Sequence, residues 1–465
     1  MKKSLLLMGG CTVMAIVSMA WAATPATSGP TATGPATTQR DNPADWPPTL
    51  DTKNTYTKAF DSRPIERYTH GDRPAWGYAA PQRDYFFLVK PGDKPVENAP
   101  LYVVLHSAGH DGTSCTASMW NKDDIEIYRT PQGMYGLYVD CRANGKQDWW
   151  WGAQTLNAKP DKYGKMLTPT ENRVLDEIEW VISKYKIDRN RVYLCGLSMG
   201  GSGSLGLGLN HGDIFASVCV WVPAGTQHAK ARMGWTDAPA DATQVSRDAW
   251  LRQMSASGLA DPPPVLDMSA TNDDWSKDQG VLINAAKAGR LALVMGWAPI
   301  GHTGEGHKFH KDMPDTMAFP WLEIRKNEAY PAFTNASTDQ INPWTKKEHA
   351  DPHGQINALF RRKNVLDTPA AFAMKLWMVA PTPTTSPAAT TAPAPKEATA
   401  YVTLRRLQQF KVQPGKTYVY TIIGTAKGGG GCALTGKIKP DAAGLLTIPG
   451  VRLSKEPSEL VLRPE

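Results

Sequence analysis

Gly196-Leu197-Ser198-Met199-Gly200-Gly201 stands between an apolar strand pattern, Arg191-Val-Tyr-Leu-Cys195, and a run of small residues suited to a helix. A serine hydroxyl is aimed for attack by a strand-to-helix turn so tight that the residues two positions to either side must be glycine, and Gly196 and Gly200 meet that need. The plain alternative is an inert serine in a Gly-rich turn, since the chain holds 40 glycines. The strand before Ser198 and the helix after it favour the nucleophile.

Such a serine needs a base to take its proton and a carboxylate to hold that base in one tautomer. Both are expected in loops past later strands. Asp273 is the chosen acid, with Asp274 beside it, and Asp267 inside the preceding strand is read as structural. His302 is the first histidine past the last strand of the alternating pattern, and His307 and His310 follow on the same polar loop. These histidines lack a carboxylate at fixed spacing and no Cys-x-x-Cys occurs, so neither a metal nor another cofactor is expected. A negative oxygen formed on attack needs two N–H donors. The expected ones are the backbone of Met199, at the start of the helix, and of Ala108 in His106-Ser107-Ala108-Gly109, with His106 a packed structural residue. Trp149, Trp150 and Trp151 follow Asp148 as flat faces for a sugar ring or an aromatic acyl group, or equally as a loop's own core. A second loop-rich insertion, Pro223 to Leu259, carries Trp235 and Trp250.

The elements that must carry these groups alternate. Apolar runs Asp84–Val89, Leu101–Leu105 and Tyr135–Val139 are bounded by Pro and Gly. A helix starts at Thr168 as N-cap, with Pro169 next and Glu171 completing a capping box; Val174, Ile178, Val181 and Tyr185 give it one buried stripe. Strands then fall at Arg191–Cys195, Ala216–Trp221, Pro264–Met268 and Leu291–Met295, with helices from Met199 and over Trp275–Ala288. This alternation predicts an α/β fold, a mostly parallel sheet covered by helices on both faces. Tyr401–Leu404, Thr417–Ile422, Leu445–Ile448 and Glu459–Leu462 predict a small C-terminal β-sandwich.

Six domains or segments follow. Residues 1–22 read as a signal peptide: Lys2 and Lys3, an apolar run from Leu5 to Met19, then Ala20-Trp21-Ala22. Residues 23–47 are Thr/Pro/Ala-rich, 48–320 the α/β domain, 321–380 a β-rich extension, 381–396 a Pro/Thr/Ala linker and 397–465 the β domain. The chain is expected to be secreted or periplasmic, with no membrane span after cleavage. Lys plus Arg number 51 against 44 Asp plus Glu in 465 residues. A balance this thin, spread along the chain, argues against nucleic acid as a partner, and nothing signals an oligomeric state. Among six cysteines, Cys115 with Cys141 is the best candidate disulfide, and Cys195 and Cys219 are expected as buried thiols.

Leu-His106-Ser-Ala-Gly109, Arg-Val-Tyr-Leu-Cys-Gly-Leu-Ser198-Met-Gly-Gly201 and Asp213-Ile-Phe215-Ala-Ser resemble the exported α/β-hydrolase esterases of the feruloyl esterase, acetylxylan esterase and polyhydroxybutyrate depolymerase-like group. The likeness spans roughly residues 80 to 310. It departs at Ser107, where those enzymes usually have glycine. The resemblance implies an α/β-hydrolase fold, the chain order serine, acid, histidine, and Ser198, Asp273 and His302 as a triad hydrolysing an ester substrate, expected on plant or algal polysaccharide. Competing readings are a polyester depolymerase, a serine peptidase of the same fold, which commonly carries a propeller that has no room before residue 80, and an inactive surface-binding protein.

Overall fold

The computed structural model describes residues 46–53, 58–121, 125–142, 150, 167–223, 261–276, 279–302, 309–340, 353–382, 395–425 and 431–465. The expected leader, and most of the Pro/Thr-rich segments 23–47 and 381–396, lie outside these residues.

Strands β1 (Thr49–Leu50), β2 (Ile65–Gly71), β3 (Arg83–Val89), β4 (Leu101–Leu105), β5 (Tyr135–Val139), β6 (Val192–Leu197), β7 (Ser217–Trp221), β8 (Val265–Ala270) and β9 (Leu293–Ala298) join β11 (Gly354–Ile356) in one sheet; β10 (Tyr330–Thr334) lies outside it. Its order is β1-β2-β3-β5-β4-β6-β7-β8-β9-β11. The central strands β5, β4, β6, β7, β8 and β9 pair in parallel, and the flanking ones are antiparallel. Every residue of these six strands is buried, as expected of strands covered on both faces.

Alternation along each strand divides the core in two. Val103 and Leu105 pack with α2 (Pro169–Tyr185), α3 (Met199–Asn210) and α4 (Gln279–Gly289) on one face. Tyr102 and Val104 pack on the other with the short helix α1 (Gly112–Thr116) and residues 309–324. Local chemistry sets the helix bounds. Thr168 Oγ1 accepts from the Glu171 N–H while the Glu171 carboxylate accepts from the Thr168 N–H, and Lys186 ends α2 at φ 52°. α3 is buried on every side, which its Gly, Ser and Leu composition permits.

The Pro381–Pro395 tract divides the sequence but not the sheets. β10 pairs with β14 (Glu397–Arg405), which pairs with β17 (Thr447–Ser454). The facing sheet runs β12 (Phe360–Asp367), β13 (Phe372–Met378), β18 (Ser458–Pro464), β15 (Tyr418–Thr425), β16 (Gly431–Ile438). Phe372, Met374 and Leu376 meet Ala400, Val402, Ile448 and Leu453 between them, the core of a sandwich. The sandwich holds the α/β sheet near the N-terminal ends of its strands: Arg406 donates to the carbonyls of Phe215 and Ala216 just before β7, and Asn357 Nδ2 to that of Leu293 at the start of β9.

The expected Cys115–Cys141 disulfide is corrected. Both residues are thiols because they belong to opposite faces of the sheet, Cys141 in the core under α2 and Cys115 in the core behind α1. Cys195 and Cys219 are buried thiols in register on β6 and β7. Among the described residues no helix is long and apolar enough to cross a membrane, and no cluster of three or more His, Cys, Asp or Glu is placed to hold a metal.

Candidate active site

Ser198 sits between β6 and α3 at φ 58°, ψ −119°, a conformation that costs a non-glycine residue about 1–3 kcal/mol and persists only where the surroundings impose it. Its N–H donates to the Trp221 carbonyl at 2.9 Å, and its carbonyl accepts from the Ser202 N–H at 3.0 Å. The flanking glycines leave the turn its room. A Cβ on Gly196 would stand 2.3 Å from the Gly200 backbone, and one on Gly200 would stand 2.0 Å from the Leu105 carbonyl oxygen.

The loops after β8 and β9 bring two groups to this hydroxyl. His302 Nε2 lies 2.8 Å from Ser198 Oγ, and His302 Nδ1 lies 2.7 Å from Asp273 Oδ2. Burial alone would push the Asp273 carboxyl up, but hydrogen bonds from His302, from Ser276 Oγ at 2.7 Å and from the Trp275 N–H at 2.8 Å hold it below its ordinary value. An ionised Asp273 accepts at Nδ1–H of His302 and leaves Nε2 free to accept the serine proton. The Trp275 ring meets the imidazole edge-on at 6.1 Å.

Asp273 rather than the exposed Asp274 faces His302. His310 pairs with Glu126 at 2.7 Å on the surface instead, while His307, Trp149, Trp151, Trp235 and Trp250 lie outside the described residues. Asp267 is fully buried on β8, bonded to Ser269 Oγ, and pushed up to about 7 by burial.

Met199 opens α3, fully buried beside Ser198, with its backbone N–H in the first turn of the helix. Ala108 lies on the exposed turn between Ser107 and His110, closed by the His110 N–H to the Ser107 carbonyl at 3.1 Å. His106 anchors this turn from below. Its Nδ1 is 2.9 Å from the Ser107 carbonyl and its Nε2 accepts the Cys141 N–H at 3.1 Å. Burial pushes the imidazole down to about 4, so it stays neutral.

The substrate-facing expectation for Trp150 is corrected. Only 2% exposed, it donates from Nε1 to the His106 carbonyl at 2.8 Å and packs so closely on α3 that a Cβ on Gly203 would meet it at 2.5 Å. It is a core residue beneath the site. A cavity of about 420 Å³ opens elsewhere, on the sheet face holding Tyr102, Trp221, Leu266 and Met268, and includes none of Ser198, Asp273 and His302. Trp275, expected as the start of a helix, instead lies with Ser276 in the turn after Asp273, and α4 runs Gln279–Gly289; an aspartate bonding the N–H two residues on is a recognisable turn signal that the helical reading passed over.

Residues 110–295 match the esterase family model, described as "Putative esterase". The chain is an esterase of α/β-hydrolase architecture. The matched segment includes Ser198 and Asp273, and the enzyme is a serine hydrolase acting on carboxylic esters. No curated protein matches this esterase. It is similar in structure to an S-formylglutathione hydrolase from Agrobacterium tumefaciens, with a TM-score of 0.39 and 15% identity over 59% of this chain and 98% of that one. A ferulic acid esterase from Anaeromyces mucronatus, in complex with ferulic acid, is similar with a TM-score of 0.37 and 16% identity over 56% of this chain and 92% of that one. A fluorophosphonate-binding serine hydrolase from Staphylococcus aureus has a TM-score of 0.37 and 14% identity over 56% of this chain and 98% of that one.

Proposed function

We propose that the protein is an exported carboxylesterase in which Ser198, His302 and Asp273 form the catalytic triad and the substrate is an acyl ester on plant or algal polysaccharide. The observation that carries the reading is the continuous hydrogen-bonded path Ser198 Oγ, His302, Asp273 at 2.8 and 2.7 Å. Ser198 Oγ attacks the ester carbonyl as His302 Nε2 takes its proton. The N–H groups of Met199 and Ala108 hold the negative oxygen, and the proton then passes from His302 to the leaving alcohol. Water, deprotonated by the same imidazole, hydrolyses the acyl-enzyme and returns Ser198 to its starting state. Asp273 keeps the proton on Nδ1 and stabilises the imidazolium.

Export rests on the Lys2-Lys3, apolar-run and Ala-Trp-Ala pattern. The polysaccharide alcohol rests on the resemblance around Ser198 to feruloyl and acetylxylan esterases. Hydrolysis of short p-nitrophenyl esters by the wild type, lost in Ser198→Ala, is the expected result, and activity that survives the substitution assigns the nucleophile elsewhere. Release of acetate or ferulate from xylan is expected next. Cleavage of polyhydroxybutyrate without either release would move the substrate to polyesters.

A further inference from the structure

Ser107 stands where the resembling esterases usually have glycine, and its side chain is turned inward to Tyr128. The Ser107 N–H donates to the Tyr128 hydroxyl at 3.1 Å, and that hydroxyl donates to Ser107 Oγ at 2.9 Å. Both residues are buried, Tyr128 at 1% and Ser107 at 4% exposure. One phenol therefore closes a two-bond ring on one residue of the turn that carries Ala108. Burial keeps the Tyr128 hydroxyl protonated far above the ordinary tyrosine range, so it remains a donor.

Tyr128 is itself bolted to the sheet. Tyr102 on β4 donates its hydroxyl to the Ile127 carbonyl at 2.7 Å, and Tyr138 on β5 donates its own to the Tyr128 carbonyl at 2.5 Å. Tyr138 also accepts from the Thr130 N–H at 3.2 Å. Three tyrosine hydroxyls thus connect two central strands to residues 127–130 and those residues to Ser107.

Resting on the oxyanion reading above, we propose that Tyr128 is a positioning residue: it fixes the Ser107 peptide and thereby aims the Ala108 N–H at the negative oxygen formed on Ser198 attack. Two consequences follow. The Ser107 N–H is occupied and does not serve as an oxyanion donor, which leaves that role to Ala108. The serine, which a glycine-bearing turn would lack, supplies the oxygen that holds the phenol, so the departure from glycine trades backbone freedom for a fixed turn.

The test is hydrolysis of p-nitrophenyl acetate beside the affinity for a trifluoromethyl ketone, whose serine adduct carries an oxyanion. Tyr128→Phe is expected to lower kcat about tenfold or more with KM within about twofold, and to weaken the ketone by the same factor. Ser107→Ala is expected to lower kcat by less, and to add nothing to Tyr128→Phe, because both remove the same contact. Ala108→Pro, which deletes the donor itself, is expected to cost about a hundredfold. Unchanged kcat and ketone affinity in Tyr128→Phe at equal folded fraction would overturn the assignment while leaving Ser198 in place; activity surviving Ser198→Ala would instead overturn the reading beneath it. Should Tyr128→Phe fail to fold, Ser107→Ala decides, and wild-type kcat and ketone affinity in that variant overturn the proposal.

Discussion

The His106 carbonyl oxygen lies 2.8 Å from the place a Cβ on Gly200 would occupy, so the end of β4 and the start of α3 touch backbone to backbone. Neither side can yield, because the same carbonyl accepts the Trp150 indole N–H and the Leu105 carbonyl carbon and oxygen lie nearer still, at 2.7 and 2.0 Å. Gly200→Ala is expected to cost about 3 kcal/mol and to abolish ester hydrolysis in the fraction that folds. Urea unfolding monitored beside p-nitrophenyl acetate turnover checks both, and a fully active variant of wild-type stability would refute the contact.

Asp273 and Asp274 are separated by one peptide bond but only the first reaches His302. Asp273→Asn keeps the size and loses the ionised acceptor, so kcat is expected to fall about 10⁴-fold, whereas Asp274→Asn is expected to stay within about twofold. Equal losses in the two variants would mean that the acid is not assigned by this hydrogen bond.

Trp150 distinguishes a core tryptophan from a substrate platform. Trp150→Phe removes the indole N–H from the His106 carbonyl and keeps most of the packing; a loss of about 1 kcal/mol in stability is expected, with KM for aryl and sugar esters unchanged. A tenfold rise in KM without a change in the urea midpoint would put the ring in the substrate's path after all.

Asp267 and His106 give stability opposite dependences on pH. Burial raises the Asp267 carboxyl from 3.8 to about 7, so its native-state contribution is whole below about pH 4 and is lost as pH rises through 7. Burial lowers the His106 imidazole from 6.5 to about 4, so the unfolded chain binds the extra proton and stability is lost as pH falls from 6.5 to 4. Between pH 4 and 6.5 the two slopes oppose each other. Asp267→Asn deletes one of them: against the wild type it is expected to match at pH 4 and to gain stability by about 1.4 kcal/mol per pH unit up to pH 7. Urea unfolding at pH 4.5, 6.5 and 8 reads this, and superimposable profiles would show that the folded protein does not retain the Asp267 proton.

The legible parts of this molecule are those whose cause lies within a few residues. β4 and β5 fall on the bounds their apolar runs suggest, and α2 starts where Thr168 and Glu171 cap each other, because both signals are local. Ser198, Asp273 and His302 were readable because each follows a strand by a few residues at the same edge of the sheet. Tyr128 was not, since its partners Ser107 and Tyr138 are held by hydroxyl contacts that no periodicity records. Trp150 and Cys141 lie outside the apolar runs, so no periodicity said which face either packs on, and both fold into the core under α2 and α3. The strands β12 and β13 gave weak signals because their outer face carries Lys363 and Lys375 where an apolar alternation was sought.

Arg406 tests whether the C-terminal sandwich is an appendage or a brace. Its guanidinium is buried, and burial pushes it down to about 10, which leaves it charged at neutral pH. It donates to the carbonyls of Ala216 at 2.8 Å and Phe215 at 2.9 Å, and its backbone N–H meets Asp261 at 2.9 Å. Arg406→Ala would strand two carbonyls between the end of α3 and β7, at a cost of about 3 kcal/mol. The effect on chemistry should be small, because those carbonyls lie at the opposite end of β7 from the Trp221 carbonyl that holds Ser198. The expected outcome is a lowered urea midpoint with kcat unchanged per folded molecule. A chain ending at residue 395 goes further, since β10 loses β14 and β13 loses β18, baring Phe372, Met374 and Leu376; it is expected to aggregate. A soluble, fully active 1–395 fragment with the wild-type midpoint would instead make the sandwich a separate module whose contacts with β7 and β9 contribute nothing to the fold.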